Sequence, residues 1–370
     1  MVKRFLYLNG LAIIAVVLYH ASGWGFIAMF WWTARYREAP IPDFSQMGSG
    51  SYYALRAIEQ GIIFGIPVFL FVSGFFVAFA TRRSQGTVSL EVIFNRLRSL
   101  IIPFILWSIV ILSGDMLQGA RLPPGQIFVT LVSGDVAPPY YFVPLLIQLY
   151  LLAPILVPLA RSRWKLLLAA AAIIQLGVLM LRYAEILHLA AGILKPAYVF
   201  SRGALFPGNI FWFSLGIVFG FHLPEFKRSL VRAKVILLVM MTFFFVLGML
   251  EWEYLLLASG KQWIGPKETL IDHLYAGFFI FSFLAFEKFT PRFIEQLAIL
   301  GGKSYGVYLI HYPVQQYTSR LVYHLFPGLL AYQIIFQPLL IGMGLVVPLM
   351  VMGLANRSPA RRYYEYVFGK

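Results

Sequence analysis

The chain has 370 residues, of which 60% are apolar and 12% charged, with mean hydropathy +0.78 and a formal net charge of +15. A soluble globular domain carries about 25% charged residues, and repeated apolar runs of about 20 residues mark helices that cross a bilayer. This excludes a soluble enzyme. Nucleic-acid binding is excluded too, because the basic residues are scattered over short loops as membrane topology requires.

The first run, Leu6 to Phe26, exceeds the core of a signal peptide and reads as a retained span. It holds one histidine, His20, and one amide, Asn9. Eleven residues make about three helical turns, so the two side chains face the same way, about 16 Å apart along the axis. Polar groups on one stripe of a membrane helix face protein or water. His20 suits either a hydrogen bond to a neighbouring helix or chemistry.

The second span, Ile58 to Ala80, follows a polar loop and is closed by Arg82 and Arg83. The third runs from Leu97 to Leu117, with Pro103 expected to kink or begin its regular helix. After a loop rich in Pro and Gly, the fourth covers Tyr140 to Leu159, distorted by internal prolines. The fifth is Leu166 to Arg182, the sixth Asn209 to Phe221 and short. A basic loop precedes the seventh, Val235 to Leu250, and the eighth is Leu270 to Phe286. The ninth, Phe293 to Leu321, is expected to begin with a short segment broken at Gly301-Gly302-Lys303-Ser304. The tenth is Leu329 to Leu354, ahead of a basic tail.

Ten spans put both termini on one side. Nineteen basic residues then lie on the terminal side and ten on the other, with Lys303 unassigned, which favours cytoplasmic termini. The expected fold is an all-α polytopic membrane protein of about ten transmembrane helices, a single integral-membrane domain over residues 1–370 with no separate soluble domain. The absence of cysteine excludes disulfides and thiolate chemistry.

With that orientation His20 lies toward the outer face. A neutral imidazole titrates near pH 7 and can take a proton from a hydroxyl. Arg96 and Arg98 stand at the cytoplasmic start of the third span. Residues two apart do not share a helix face, so one at most looks into a cavity. A guanidinium there serves as a membrane anchor or binds phosphate oxygens; Arg82 and Arg83 read mainly as anchors. In the ninth span Ser304, Tyr308 and His311 stand close together, with Tyr308 and His311 three apart on one face. The Ser73-Gly74-Phe75 segment permits close helix approach. Neither a metal-ligand pattern nor a carboxylate cluster is visible.

Six stretches in order, YLNGLAIIAVVLYHA, FLFVSGFFVA, FNRLRSLIIPF, YYFVPLLIQLYLLAPIL, FWFSLGIVFG and GGKSYGVYLIHYPV, resemble the membrane acyltransferase-3 family, bacterial O-acetyltransferases of surface glycans and related molecules. The resemblance implies a bundle of about ten helices in the bacterial cytoplasmic (inner) membrane. It implies transfer of an acyl group, acetyl by preference, from cytoplasmic acyl-CoA to a hydroxyl of a surface or exported glycan or its lipid-linked precursor. His20 matches the family's first-span histidine, and Arg96 and Arg98, with Arg83, would hold the donor. Asn9, Ser73, Ser304, Tyr308 and His311 would line the cavity. Acyl-CoA is then a substrate and no cofactor is held permanently. Expected partners are acyl-CoA, a glycan or glycolipid acceptor, membrane lipid, and further copies of the chain or polysaccharide-synthesis proteins, with no nucleic acid.

Two departures stand out. Many members carry an arginine eleven residues before the histidine, where this chain has Asn9. The family's paired arginines are usually separated by two residues, and Asn95, Arg96 and Arg98 do not reproduce that spacing. A transporter or exporter of small acids or glycan precursors, and a non-catalytic component of a polysaccharide-synthesis complex, remain alternative readings of the same residues.

Overall fold

The structure is a computed structural model that describes residues 2–32, 48–82, 86–189, 195–265, 267–286 and 292–369. Among these residues all regular structure is helical. Helix α1, Val2–Ile27, continues as a π-helical turn through Ala28–Trp32. The second span is two helices, α2 (Gly50–Ile62) and α3 (Gly65–Thr81). Pro67 has no N–H for the carbonyl of Ile63, which accounts for the break.

Helix α4, Leu90–Leu117, begins well before its apolar run, because the Ser89 hydroxyl accepts from the Val92 amide at 3.3 Å and Glu91 sits in the first turn. Pro103 therefore lies inside α4 and does not begin it. A short α5 (Pro124–Ser133) and a 3₁₀ turn over Pro138–Tyr141 lead to α6 (Phe142–Ser162) and then α7 (Trp164–Ile186). After α8 (Ile210–Phe221), the expected basic loop is helical. Pro224 occupies the first turn, where a missing N–H breaks no bond, and α9 runs unbroken over Leu223–Ser259. Helix α10 is Leu270–Ala285. The ninth span divides at Lys303 into α11 (Ile294–Gly302) and α12 (Ser304–Leu325), as the glycines suggest. Helix α13 is Gln333–Arg357, and α14 (Tyr364–Phe368) returns to the bundle, where the Val367 carbonyl accepts from Trp107 Nε1 at 2.9 Å.

Each of the ten expected spans thus coincides with a helix or a broken helix. Seven of the helical stretches are long and apolar enough to cross a membrane; α8 and α10 are shorter, and α12 carries His311, Gln315, Gln316 and Arg320. The protein is an all-α polytopic membrane protein.

Burial sorts the helices. The apolar windows of α1 and of α2–α3 are 61% and 67% buried, whereas those of α7 and α9 are 22% and 17% buried and turn apolar side chains such as Ile173 and Ile236 outward. The first group forms the centre and the second the lipid face.

Two crossings need glycine. A methyl group on Gly74 would overlap the Phe213 carbonyl, and one on Gly216 the Phe71 carbonyl, so α3 and α8 meet backbone to backbone. Gly10 and Gly301 stand in the same relation to Leu297 and Leu6, which holds α11 against α1. That second crossing brings the start of α12 beside the N-terminal half of α1, where the site begins.

Candidate active site

Two cavities follow α1. One, of about 600 Å³, lies at the end of the bundle where the chain begins and is lined by Asn9, Ser73, Asn95, Arg96, Ser99, Ser304, Tyr305 and Tyr308 among apolar groups. The other, of about 370 Å³, lies toward the opposite end and is lined by His20, Glu268 and the aromatic rings of Tyr19, Trp24, Tyr141, Trp263, Tyr308 and Tyr312. Asn9 opens on the first and His20 on the second. Tyr308 lines both.

Tyr308 is buried on α12, its hydroxyl donating to the Pro139 carbonyl. Pro139 belongs to the turn before α6 and itself lines the His20 cavity. The Tyr308 ring lies against Phe142, Tyr140 and Tyr305, with centroids 5.8 to 6.2 Å away. Tyr308, its ring fixed at the hydroxyl, is thus the residue at which the linings of the two chambers meet.

The His20 ring stands 5.3 Å from the His311 ring and 5.3 Å from the Tyr312 ring, centre to centre. His311 is fully buried, and its Nδ1 lies 2.7 Å from the Tyr308 carbonyl. A carbonyl only accepts, so Nδ1 carries the proton and neutral His311 presents a lone pair at Nε2. That Nε2 is buried without a hydrogen-bond partner among the described residues. His311 is absent from the cavity lining and instead backs His20.

The His20 cavity has a polar wall that the sequence reading missed. Glu268 lines it, in a left-handed backbone conformation at φ 42, costly for a residue with a Cβ. Its carboxylate is held by the Arg182 guanidinium and stands 3.5 Å from the Tyr141 hydroxyl. Trp263 is oriented by Glu59, a buried carboxylate that accepts from Trp263 Nε1 at 3.2 Å and from the Ser22 hydroxyl at 2.9 Å. Next to this wall Lys267 is buried between Glu251 (2.9 Å) and Asp272 (3.0 Å), and Gln60 donates to Asp272 at 3.1 Å. No carboxylate cluster is visible along the chain because these groups come from α2, α9, α10 and the segment before α10. Among the described residues, no group of three or more His, Asp or Glu is placed to hold a metal ion.

At the Asn9 cavity the two arginines separate. Arg96 lines the chamber. Arg98 is exposed and donates to the Tyr366 hydroxyl at 3.0 Å, its guanidinium 5.4 Å from that ring. Arg83 lies outside the described residues. The Asn9 amide oxygen is buried with no partner among the described residues and belongs to the cavity wall. Ser73, Ser304 and Tyr308 fall on the same wall, so this chamber gathers four of the five further residues expected around the site; His311 is the exception.

No curated protein and no solved structure matches the chain. A family model described as an acyltransferase domain matches residues 5–354, a span that contains both cavities' lining residues. The chain belongs to the membrane acyltransferase-3 family and is an acyltransferase.

Proposed function

We propose that the protein is a bacterial inner-membrane O-acetyltransferase with ten spans and cytoplasmic termini. It would transfer an acetyl group from cytoplasmic acetyl-CoA to a hydroxyl of a surface or exported glycan. The positive-inside bias supports this orientation, and ion pairing on the other side adds to that support. Three of the basic residues assigned outside, Arg56, Arg182 and Lys267, are paired with Glu253, Glu268 and Glu251, so they add little to the outer charge.

In this reading the inner chamber takes the donor. Arg96 meets phosphate oxygens, Arg98 and Arg83 serve as further cations for the donor, and the Asn9 oxygen accepts from an amide N–H of the donor's arm. The outer chamber takes the acceptor. Its aromatic walls suit the apolar faces of a sugar ring, and Glu268 and Tyr141 hold hydroxyls. His20 removes the proton from the acceptor hydroxyl as its oxygen attacks the thioester carbonyl. The C–O bond forms, the C–S bond breaks, and the departing thiolate takes the proton from the imidazolium. His311 keeps the His20 ring in register.

The observation that carries this reading is the double membership of Tyr308. Because the two chambers adjoin at this one side chain, a displacement of its ring would join them, and a thioester entering from one would then meet a hydroxyl held in the other. A transporter would need the same partition to open to a solute without consuming a thioester. Purified protein given labelled acetyl-CoA and a glycan acceptor tests the proposal. Label should appear on the acceptor with wild type and be lost with His20→Ala; transfer that survives His20→Ala, or solute uptake without thioester consumption, defeats it.

A further inference from the structure

A third cavity opens between α7, α8 and α10, on the lipid side of the bundle. It measures about 310 Å³ and its walls are almost wholly apolar, with Leu179, Phe211, Leu215, Phe278 and Phe281 inside. At its mouth Leu176 and Leu274 are 40% and 37% exposed, so the groove faces the bilayer. In that solvent its occupant is a hydrocarbon chain.

Three polar side chains stand in this apolar groove: Gln175, whose amide oxygen accepts from the Phe211 N–H at 3.1 Å, Trp212 and His273. Trp212 lines it and is 2% exposed, yet its Nε1–H has no hydrogen-bond partner among the described residues; a buried donor left unpaired is costly. His273 lies against Trp212, ring centres 6.0 Å apart. Its Nδ1 is 2.9 Å from the Thr269 carbonyl and so donates there, which leaves Nε2 as an acceptor. A plain acyl chain offers the Trp212 N–H no acceptor.

His273 also lines a constriction of about 10 Å³, together with Asn209, Asp272 and Glu268. Glu268, Ile63 and Ile66 belong at once to that constriction and to the His20 cavity. The groove, this small polar pocket and the aromatic chamber therefore adjoin one another in series, the first two through His273 and the last two through Ile63, Ile66 and Glu268.

We infer that this groove is the seat of the acceptor's own hydrocarbon chain: the acceptor is a glycolipid held by its chain between α7, α8 and α10, with Trp212 and His273 at its polar linkage and its sugar in the His20 chamber. The inference rests on the proposed acyl transfer for the role of the head group, while occupancy of the groove is measured separately.

The test uses full-length protein in detergent with a decyl glycoside carrying a diazirine near the end of its chain. Irradiation should label peptides of α7, α8 and α10, and unmodified decyl glycoside should displace the label where methyl glycoside does not. Gly277 lines the groove, and a Cβ there would meet only the Trp212 ring, at 3.4 Å or beyond, so Gly277→Leu fills the groove without a backbone clash. That variant, and Leu176→Trp at the mouth, should each reduce labelling at least tenfold with an unchanged Tm. Labelling that falls elsewhere, that persists in both variants, or that phosphatidylethanolamine displaces as well as decyl glycoside does, overturns the inference; the last result makes the groove a site for structural lipid. His20→Ala should label as wild type does, so failure of the groove and failure of the acyl-transfer chemistry give different results.

Discussion

The imidazoles of His20 on α1 and His311 on α12 lie 5.3 Å apart, and only the first opens on a cavity. His311 spends its Nδ1 proton on the Tyr308 carbonyl and keeps an unpartnered Nε2. It is a positioning residue for the His20 ring. Replacing His20 by alanine should lower kcat about 10²–10⁴-fold, the usual contribution of a general base. His311→Ala should lower kcat by about tenfold with little change in the acetyl-CoA KM, and should alter the pH profile of kcat. His311→Gln, which restores an acceptor, should recover part of the loss. An equal fall in KM and kcat, with no change in the profile, would assign His311 to packing alone.

The arginines give a second contrast. Arg96 lines the inner cavity and Arg98 lies on Tyr366 at the surface. A hydrogen bond to a charged group contributes about 1.5–3 kcal/mol, so Arg96→Ala should raise the acetyl-CoA KM about 10–100-fold. Arg98→Ala removes an exposed contact and should change it less than about 5-fold. Steady-state kinetics on both variants decides, and the reverse order would move the phosphate site to the bundle surface.

Tyr308 separates the chambers, so its removal should uncouple the reaction. Tyr308→Ala should admit water from the outer chamber to the thioester and raise acetyl-CoA hydrolysis in the absence of acceptor. Tyr308→Phe keeps the ring and loses only the bond to the Pro139 carbonyl, so hydrolysis should stay near the wild-type rate. Free thiol release measures both. An intact barrier in Tyr308→Ala would mean that the chambers are divided by something else.

Lys267 is 3% exposed and neutralises Glu251 and Asp272 from one position. Lys267→Met leaves two carboxylates without their cation and should destabilise the fold by about 3–5 kcal/mol. Arg98→Ala should stay within about 0.5 kcal/mol. Thermal unfolding in detergent compares them.

Much of the scaffold was legible in the sequence because lipid imposes a length rule on apolar runs, and the break before Ser304 was legible because two glycines precede it. The inner chamber was legible as well, since Asn9, Ser73, Arg96 and Ser304 lie in short motifs. The starts of α4 and α9 were not, because the Ser89 cap and the first-turn Pro224 extend helices through polar residues that hydropathy assigns to loops. The outer wall was hidden for another reason. Glu59, Arg182 and Glu268 are far apart in the chain, and each alone reads as an ordinary charge near a span end; only the folded chain sets Arg182 against Glu268 and Glu59 against Trp263. That Arg96 and not Arg98 faces the chamber needed the helix phase of α4, which its late-appearing apolar run conceals.

The central claim is that a donor bound at the Arg96 chamber reaches an acceptor beside His20 on the other side of Tyr308. Proteoliposomes with the Arg96 end facing outward, given labelled acetyl-CoA outside and glycan acceptor sealed inside, test it most directly. The account predicts labelled acceptor in the lumen with wild type, none with His20→Ala, and recovery of the Arg96→Ala rate only at raised acetyl-CoA. Label found solely on acceptor placed outside, or luminal label that persists with His20→Ala, would contradict it.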